Sequence, residues 1–427
     1  MVAPLRDGAH SAAGPARLGS RSPMYDAIVI GARCAGAATA MLLARGGMDV
    51  LLVDRAAVPS DIPHGHFVHR HGPPRLARWG LLDRVLATNC PPVTSMTADF
   101  GDLALTGHDL SVDGVPLGVA PRRDRLDAVL VEAAVQAGAE LRDRFAVLEH
   151  TRDGERVTGI TGRDARGGAR ASERARVVIG ADGRNSALAR SVGAEARIAA
   201  PTATCWYFSY YGGVHCPGLE LYGRSDRVIF VFPTNDDLVG LFVGFAIGEL
   251  GRVRAAPEAA VLETVDAIPG LGERIRGGRR EERFYGATQL PNFLRTPYGP
   301  GWALVGDAAC HKDPFTALGI CDALRDAELL SEALIDGLSG DAPLDAALAG
   351  YEHQRDAATL PDYHQNLASA RFEPLPEEHR RLRAALRDDQ QATNHFFLAT
   401  QGMVAPQTFF NDENVGRIIA GAARVSG

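Results

Sequence analysis

Residues 25–40 read YDAIVIGARCAGAATA, an apolar run that stops at Gly31 and gives way to alanine-rich chain. A tight turn built on Gly31 and Gly36 can aim backbone N–H groups at a diphosphate. The helix that follows adds about half a positive charge at its N-terminus. The customary spelling of such a turn is G-x-G-x-x-G, yet Arg33 stands at the second glycine, where backbone comes closest to phosphate. A turn widened slightly can still offer its N–H past a Cβ, with the guanidinium set either against phosphate or toward solvent. Asp54 follows Gly31 by 23 positions and closes the next apolar run, DVLLV. An acid there can bond a ribose hydroxyl. Asp182 in GADG and Asp307 in GDAA each close a further apolar run behind a glycine. Each acid alone reads as a turn or helix-capping residue. In this order, the three read as contacts along an elongated nucleotide cofactor.

Two other groups can handle protons or ligands. HGHFVHRHG (64–72) carries His64, His66, His69 and His71. Their spacing matches neither two histidines one helical turn apart nor a Cys/His zinc pattern, so no metal is assigned. The loop is expected to run past the cofactor, with His66 or His69 facing the pocket. TCWYFSYYGG (204–213) and the residues after it offer Tyr207, Tyr210, Tyr211 and His215 as bases for a phenolic substrate. The competing reading for each is a core aromatic of a packed sheet. Six cysteines lie scattered without C-x-x-C spacing and read as free thiols of a reducing, cytoplasmic protein.

The elements that position these residues follow from pattern. The runs 25–30, 49–53, 174–180 and 299–305 are continuous and apolar, as buried parallel strands are, and 34–45 is a helix stopped by Gly46–Gly47. Residues 204–213, 227–232 and 237–246 are aromatic and β-branched strands, the last two joined by PTND as an antiparallel hairpin. Beyond residue 316 apolar residues recur at three- and four-residue spacing, which predicts helices. The chain has 427 residues, 23% charged and 46% apolar, with formal net charge −7. That balance argues against a broad grip on nucleic acid or anionic membrane, and no run nears the roughly 20 apolar residues of a membrane span. Residues 1–23 lack the hydrophobic core of a secretory signal and read as a solvated tail, with Met24 as an alternative start.

With these stretches in place, the chain resembles the class A flavoprotein monooxygenases, the para-hydroxybenzoate hydroxylase-like group, shading toward geranylgeranyl reductases and flavin-dependent halogenases. The resemblance runs from Met24 over nearly the whole chain. GARCAG matches the FAD turn, RRDRLDAVLVEAA (122–134) a segment whose arginine, here Arg123, contacts the cofactor, and GADGRNS (180–186) a motif tied to FAD and NAD(P)H. GDAACHKDPFTALGICDA (306–323) matches the segment that frames the flavin ring. Relatives often carry His where Cys310 stands, Gly at Thr316 and Asn at Cys321. The resemblance implies FAD contacts from Gly31, Arg33, Ala35, Gly36, Asp54, Arg55 and Arg123. It adds Asp182, Gly306, Asp307, Pro314, Gly319 and Ile320.

The implied fold is α/β. A Rossmann-like FAD-binding domain (24–95, 117–200, 288–374) carries an inserted mixed or antiparallel substrate sheet (96–116, 201–287) and a C-terminal helical segment (375–427). The implied reaction is hydroxylation of a small aromatic substrate by O2, with NADPH or NADH as electron donor and a flavin C4a-hydroperoxide as oxidant. His66, Tyr210 and Pro314 are the residues expected at the reacting centre of a monomer or homodimer. The alternative is a flavin-dependent reductase of an apolar alkene, because VIFVFP (228–233) keeps Phe232 and Pro233 of the Y-x-W-x-F-P stretch of geranylgeranyl reductases. Halogenation is disfavoured: the single lysine, Lys312, lies in the late flavin motif, and no W-x-W-x-I-P occurs. A flavin-fold protein that only binds a ligand has no positive support. Phe396, Phe397, Phe409 and Phe410 are expected to pack in the core, to close the pocket or to meet a second copy.

Overall fold

The computed structural model describes residues 24–60 and 63–425; the tail expected over 1–23 lies outside the described residues. The run Tyr25–Ile30 is a buried strand, paired in parallel with Val50–Val53 on one side and Arg170–Gly180 on the other. Glu140–Arg142 and Trp302–Leu304 extend the parallel set outward. The antiparallel strands Phe145–Asp153 and Arg156–Asp164 add a meander beyond Arg170–Gly180. Helix Cys34–Arg45 packs against helices Arg123–Ala137 and Gly319–Ser339, and apolar side chains on both sides explain why these strands read as unbroken hydrophobic runs.

Parallel pairing has a direct consequence for the motifs. Strands that run the same way end at the same edge, so Gly31, Asp54, Asp182 and Asp307 emerge together along one rim of the sheet. The packing there is tight. Gly31 has φ +106°, and a Cβ on it would lie 2.5 Å from the Ala181 carbonyl oxygen. A Cβ on Gly36 would lie 1.8 Å from the Gly31 carbonyl oxygen.

A second, eight-stranded sheet is mostly antiparallel. Its centre is Thr204–Gly212 paired with Leu238–Ala246, which pairs in turn with Arg227–Pro233. The expected hairpin turn is made by Asn235–Asp237, with Asp236 and Asp237 both at positive φ. Strand alternation sorts the aromatics. Trp206, Phe208 and Tyr210 join one apolar cluster with Phe232 and Phe242, whereas Cys205, Tyr207 and Tyr211 join another against helices Pro257–Asp266 and Leu271–Gly277. Helices Glu377–Leu386, Gln390–Thr400 and Asp412–Val425 cover the first of these faces. Phe396, Phe397 and Phe409 are buried there, while Phe410 is exposed. Among the described residues no helix is long and apolar enough to cross a membrane.

The glycine contact sets a measurable cost. Gly36→Ala is expected to lose about 3 kcal/mol or more, because the methyl group meets backbone that cannot yield. Gly350→Ala, in a helix with open space around it, is expected to gain about 0.5–1 kcal/mol. Thermal unfolding of the two variants checks the contrast.

Candidate functional site

The polar atoms along the rim of the parallel sheet keep bonding capacity that an FAD molecule can use. Asp54 accepts from Ala32 N–H and Ala56 N–H, each at 2.8 Å, one on each carboxylate oxygen. A carboxylate has about four lone-pair directions, so hydroxyl groups of a ribose can still be accepted. Asp182 Oδ2 accepts Ala187 N–H at 2.7 Å, the turn duty foreseen as its bland role, but its Oδ1 is buried with no hydrogen-bond partner. Gly306 brings Asp307 against the turn, since a Cβ on Gly306 would lie 2.7 Å from the Ala35 side chain. Arg55 is exposed, and Gly319 and Ile320 begin the helix Gly319–Ser339.

Charge completes the picture. Arg123 forms an ion pair with Asp127 at 3.0 Å, and Cys34 Sγ–H also donates to that carboxylate. Arg33 is half-buried rather than turned out to solvent, and both its burial and the neighbouring Arg123 cation hold its pKa below the ordinary value. Two guanidinium groups thus stand together at a helix N-terminus with the one paired carboxylate already engaged. Such a setting suits an anion, and the diphosphate of FAD is one. The residues present fit the cofactor.

Beyond the rim lies the loop 313–318. Asp313 caps its first turn by accepting Phe315 N–H at 3.2 Å, a sequence-legible Asp-Pro start. Thr204 Oγ1–H donates to Asp313 at 2.6 Å, and Trp206 Nε1–H donates to Thr204 at 2.7 Å. Asn366 Oδ1 accepts from Thr316 N–H and Oγ1–H, and Asn366 Nδ2 donates to the Asp313 carbonyl. Nothing in the local sequence marks Asn366, because it comes from the helix Leu344–Ala370, some fifty residues away along the chain. The unusual residues of this motif are accounted for. Thr316 uses its hydroxyl on Asn366, and Cys321 exchanges hydrogen bonds with the His69 backbone at 3.1 and 3.4 Å. Lys312 is buried in an ion pair with Asp322 at 2.6 Å, whose other oxygen takes Arg325 at 2.8 Å.

The histidine cluster does not act as a unit. His66 is 1% exposed, with Nδ1 3.0 Å from the Ala120 carbonyl and Nε2 2.9 Å from the Tyr210 hydroxyl. Only one neutral tautomer satisfies both: Nδ1–H donates to Ala120, and Nε2 accepts the Tyr210 O–H. Arg122 stacks 3.9 Å above the Tyr210 ring and is anchored by Glu282 at 2.6 Å. His69 reaches Gln401 at 2.6 Å and the Thr316 carbonyl at 3.1 Å, tying the C-terminal helices to the flavin loop. A neutral His69 satisfies both when Gln401 turns its NH2 toward Nδ1. His71 lies beside Asp322 at 3.7 Å, and His64 is exposed. Among the described residues no group of three His, Cys, Asp or Glu is placed to hold a metal ion. Of the aromatic candidates only Tyr210 faces His66; Tyr207 and Tyr211 project from the opposite face, and His215 is exposed. Alternation along the strand separates them, which the residue types alone did not reveal.

Two outcomes are expected. Arg33→Gly should weaken FAD binding about tenfold at low ionic strength, with the gap to wild type closing as salt rises; fluorescence titration of apoprotein measures it. Burial pushes His66 down to about 3 and His69 down to about 4. The unfolded chain therefore binds more protons than the folded one below about pH 6.5, and stability falls with pH through that window down to about pH 3. His69→Gln should flatten the acid limb of a stability–pH curve obtained from urea unfolding.

Comparison with known proteins points to the same cofactor. The FAD binding domain family matches residues 24–236. Digeranylgeranylglycerophospholipid reductase 1 of Methanopyrus kandleri is 26% identical over 345 residues, covering 77% of this chain and 85% of that one. The structure superposes on the myxobacterial chondrochloren halogenase with TM-score 0.75 at 21% identity, covering 93% and 96% of the two chains. It superposes on PqsL, described as a probable FAD-dependent monooxygenase from Pseudomonas aeruginosa, with TM-score 0.68 at 21% identity, covering 88% and 99%. At such identities the superpositions speak for the fold alone, while the domain match and the rim of glycines, acids and arginines speak for the cofactor. Residues 24–236 belong to the FAD binding domain family, and the chain is an FAD-dependent oxidoreductase.

Proposed function

We propose that this enzyme takes electrons from NADPH or NADH and hydroxylates an aromatic ring held between the flavin loop and the aromatic face of the second sheet. FAD held along the rim would supply the redox chemistry, electron transfer from NAD(P)H and activation of O2. The observation that carries the reading is the buried Tyr210–His66 pair. A substrate hydroxyl donating to Tyr210 Oη can lose its proton as the Tyr210 proton moves toward His66 Nε2. The Ala120 carbonyl holds the tautomer that leaves Nε2 ready to accept. Burial disfavours the imidazolium, so the proton stays on the substrate side until the ring reacts, which limits premature deprotonation. The Arg122 cation over Tyr210 favours negative charge on that side chain. Phe208, Phe232 and Phe242 stack around the pair with centroids 4.5–5.1 Å apart in sequence and keep water from it. Asp313, Asn366 and His69 hold the loop that carries Pro314 against this face.

A reductase of an apolar alkene is the second reading. It is supported by the identity to a protein named as an archaeal lipid reductase and by Phe232, whose ring meets His66 edge-on at 5.4 Å. An apolar face suits an alkene as well as an arene; a buried phenol–imidazole pair suits the arene better. Halogenation has less support, since the ammonium of the single lysine is engaged by Asp322.

The two readings part on oxygen. With 18O2 and candidate phenols, the proposal expects label in the product and one NAD(P)H consumed per hydroxylation. Substrate-stimulated NAD(P)H oxidation with no label in any product would instead favour the reductase. Tyr210→Phe should keep FAD and lower kcat by about 10²-fold, whereas Asp307→Ala should lose the yellow cofactor; absorbance at the flavin band separates the two effects.

A further inference from the structure

The chain has one lysine, and it is buried. Lys312 stands between the strand Cys310–His311 and the flavin loop, with its side chain 6% exposed and Nζ 2.6 Å from Asp322 Oδ2. Asp322 lies in the first turn of helix Gly319–Ser339, and its Oδ1 takes Arg325 at 2.8 Å. Arg325 also reaches Asp326 and the Thr359 hydroxyl, each at 2.7 Å. Two buried cations thus face two buried carboxylates, and the group as a whole is neutral. Two further titratable neighbours add no charge at neutral pH. Burial pushes His71, 3.7 Å from Asp322 Oδ1, down, and it pushes the Cys310 thiol up to about 12. Arg355, the next buried cation, is paired with Asp356.

A buried ion pair is weak evidence for stability, because the loss of water offsets most of the attraction. Neither Lys312 Nζ nor Asp322 Oδ2 has an aligned hydrogen bond, so this pair is a contact of charges. Its place in the fold says more. A Cβ on Gly306 would lie 2.7 Å from Ala35 of the FAD turn and 3.5 Å from Ala323, the residue after Asp322. The start of helix Gly319–Ser339 therefore abuts the rim beside Asp307. Leu318 at its N-cap offers no side-chain acceptor, so no side chain caps the N–H groups of the first turn. About half a positive charge collects at such a helix end. The four charged groups stand directly behind it, with Asp322 inside the first turn.

We propose that Lys312 is a positioning residue, acting through Asp322, that keeps the rim-facing end of this helix positive and so sets how readily bound FAD is reduced. Reduction by a hydride brings two electrons and one proton to FAD, which leaves it with one added negative charge. A positive helix end favours the reduced form, and a bare carboxylate in the first turn disfavours it. Lys312 cancels the Asp322 charge while Arg325 is occupied by Asp326. At an effective dielectric of about 20, a unit charge about 10 Å from another is worth about tenfold in such an equilibrium. The inference rests on FAD lying along the rim, and it holds for hydroxylation and alkene reduction alike.

The test is the two-electron midpoint potential of FAD-loaded protein, read from flavin absorbance during reductive titration against a reference dye. Lys312→Met leaves Asp322 without its cation, and the balance should shift about tenfold toward oxidised FAD, about 30 mV downward. Asp322→Asn leaves Lys312 in excess and should shift it about tenfold the other way. The double variant Lys312→Met/Asp322→Asn restores neutrality and should return to within about threefold of wild type. Lys312→Arg keeps the charge and should stay there too. Melting curves and flavin absorbance show which variants are folded and loaded. A merely structural pair behaves differently, since its single variants lose stability without opposite shifts in potential. Shifts of the same sign in the two single variants, a double variant as far from wild type as either, equal potentials throughout, or loss of FAD by both single variants would overturn the proposal. If only Lys312→Met fails to retain FAD, Asp322→Asn decides alone: a midpoint above that of wild type supports the proposal, and one at or below it overturns it.

Discussion

The contact of the Gly31 turn with the Ala181 carbonyl is the constraint on which the rest of this enzyme depends. It locks the first strand, the start of helix Cys34–Arg45 and the GADG segment into one rigid corner. Because the neighbouring strands run parallel to the first, that corner gathers Asp54, Asp182 and Asp307, and the Ala32 N–H of the turn ties Asp54 to it at 2.8 Å. Two arginines then raise the positive potential at the helix N-terminus, where the dipole already points. Arg33 stands where the customary turn has glycine, half-buried beside Arg123.

The second sheet does its work through alternation and burial. Period-two geometry sends Trp206, Phe208 and Tyr210 toward the flavin loop and Tyr207 and Tyr211 toward supporting helices. Burial then fixes the chemistry of what remains. His66, excluded from water, is held neutral, and its backbone partner at Ala120 decides which nitrogen meets Tyr210.

The flavin loop shows how a motif can drift and still be held. Cys321 and Thr316, where the resemblance leads one to expect Asn and Gly, each have a partner, in the His69 backbone and in Asn366. Thr204 with Trp206 on one strand, Asn366 and His69 come from three separate parts of the chain and converge on the six residues of the loop 313–318. Such a clamp lets the loop keep its place while individual positions change.

The order of apolar runs, glycines and acids was enough to identify the parallel FAD rim, because strand direction and helix packing there follow from local pattern alone. The hairpin at Asn235, the helix Cys34–Arg45 and the aromatic strands were legible for the same reason. Residue types also singled out His66 and Tyr210, but among four histidines and three tyrosines they could not be paired. Pairing depends on which face of a strand a side chain takes and on which distant segment packs against it. The same holds for Asn366 on the loop 313–318 and for Arg122 over Tyr210: each is an ordinary polar residue in the sequence. Only folding brings distant neighbours to it and removes the water around it, and those neighbours determine what it does.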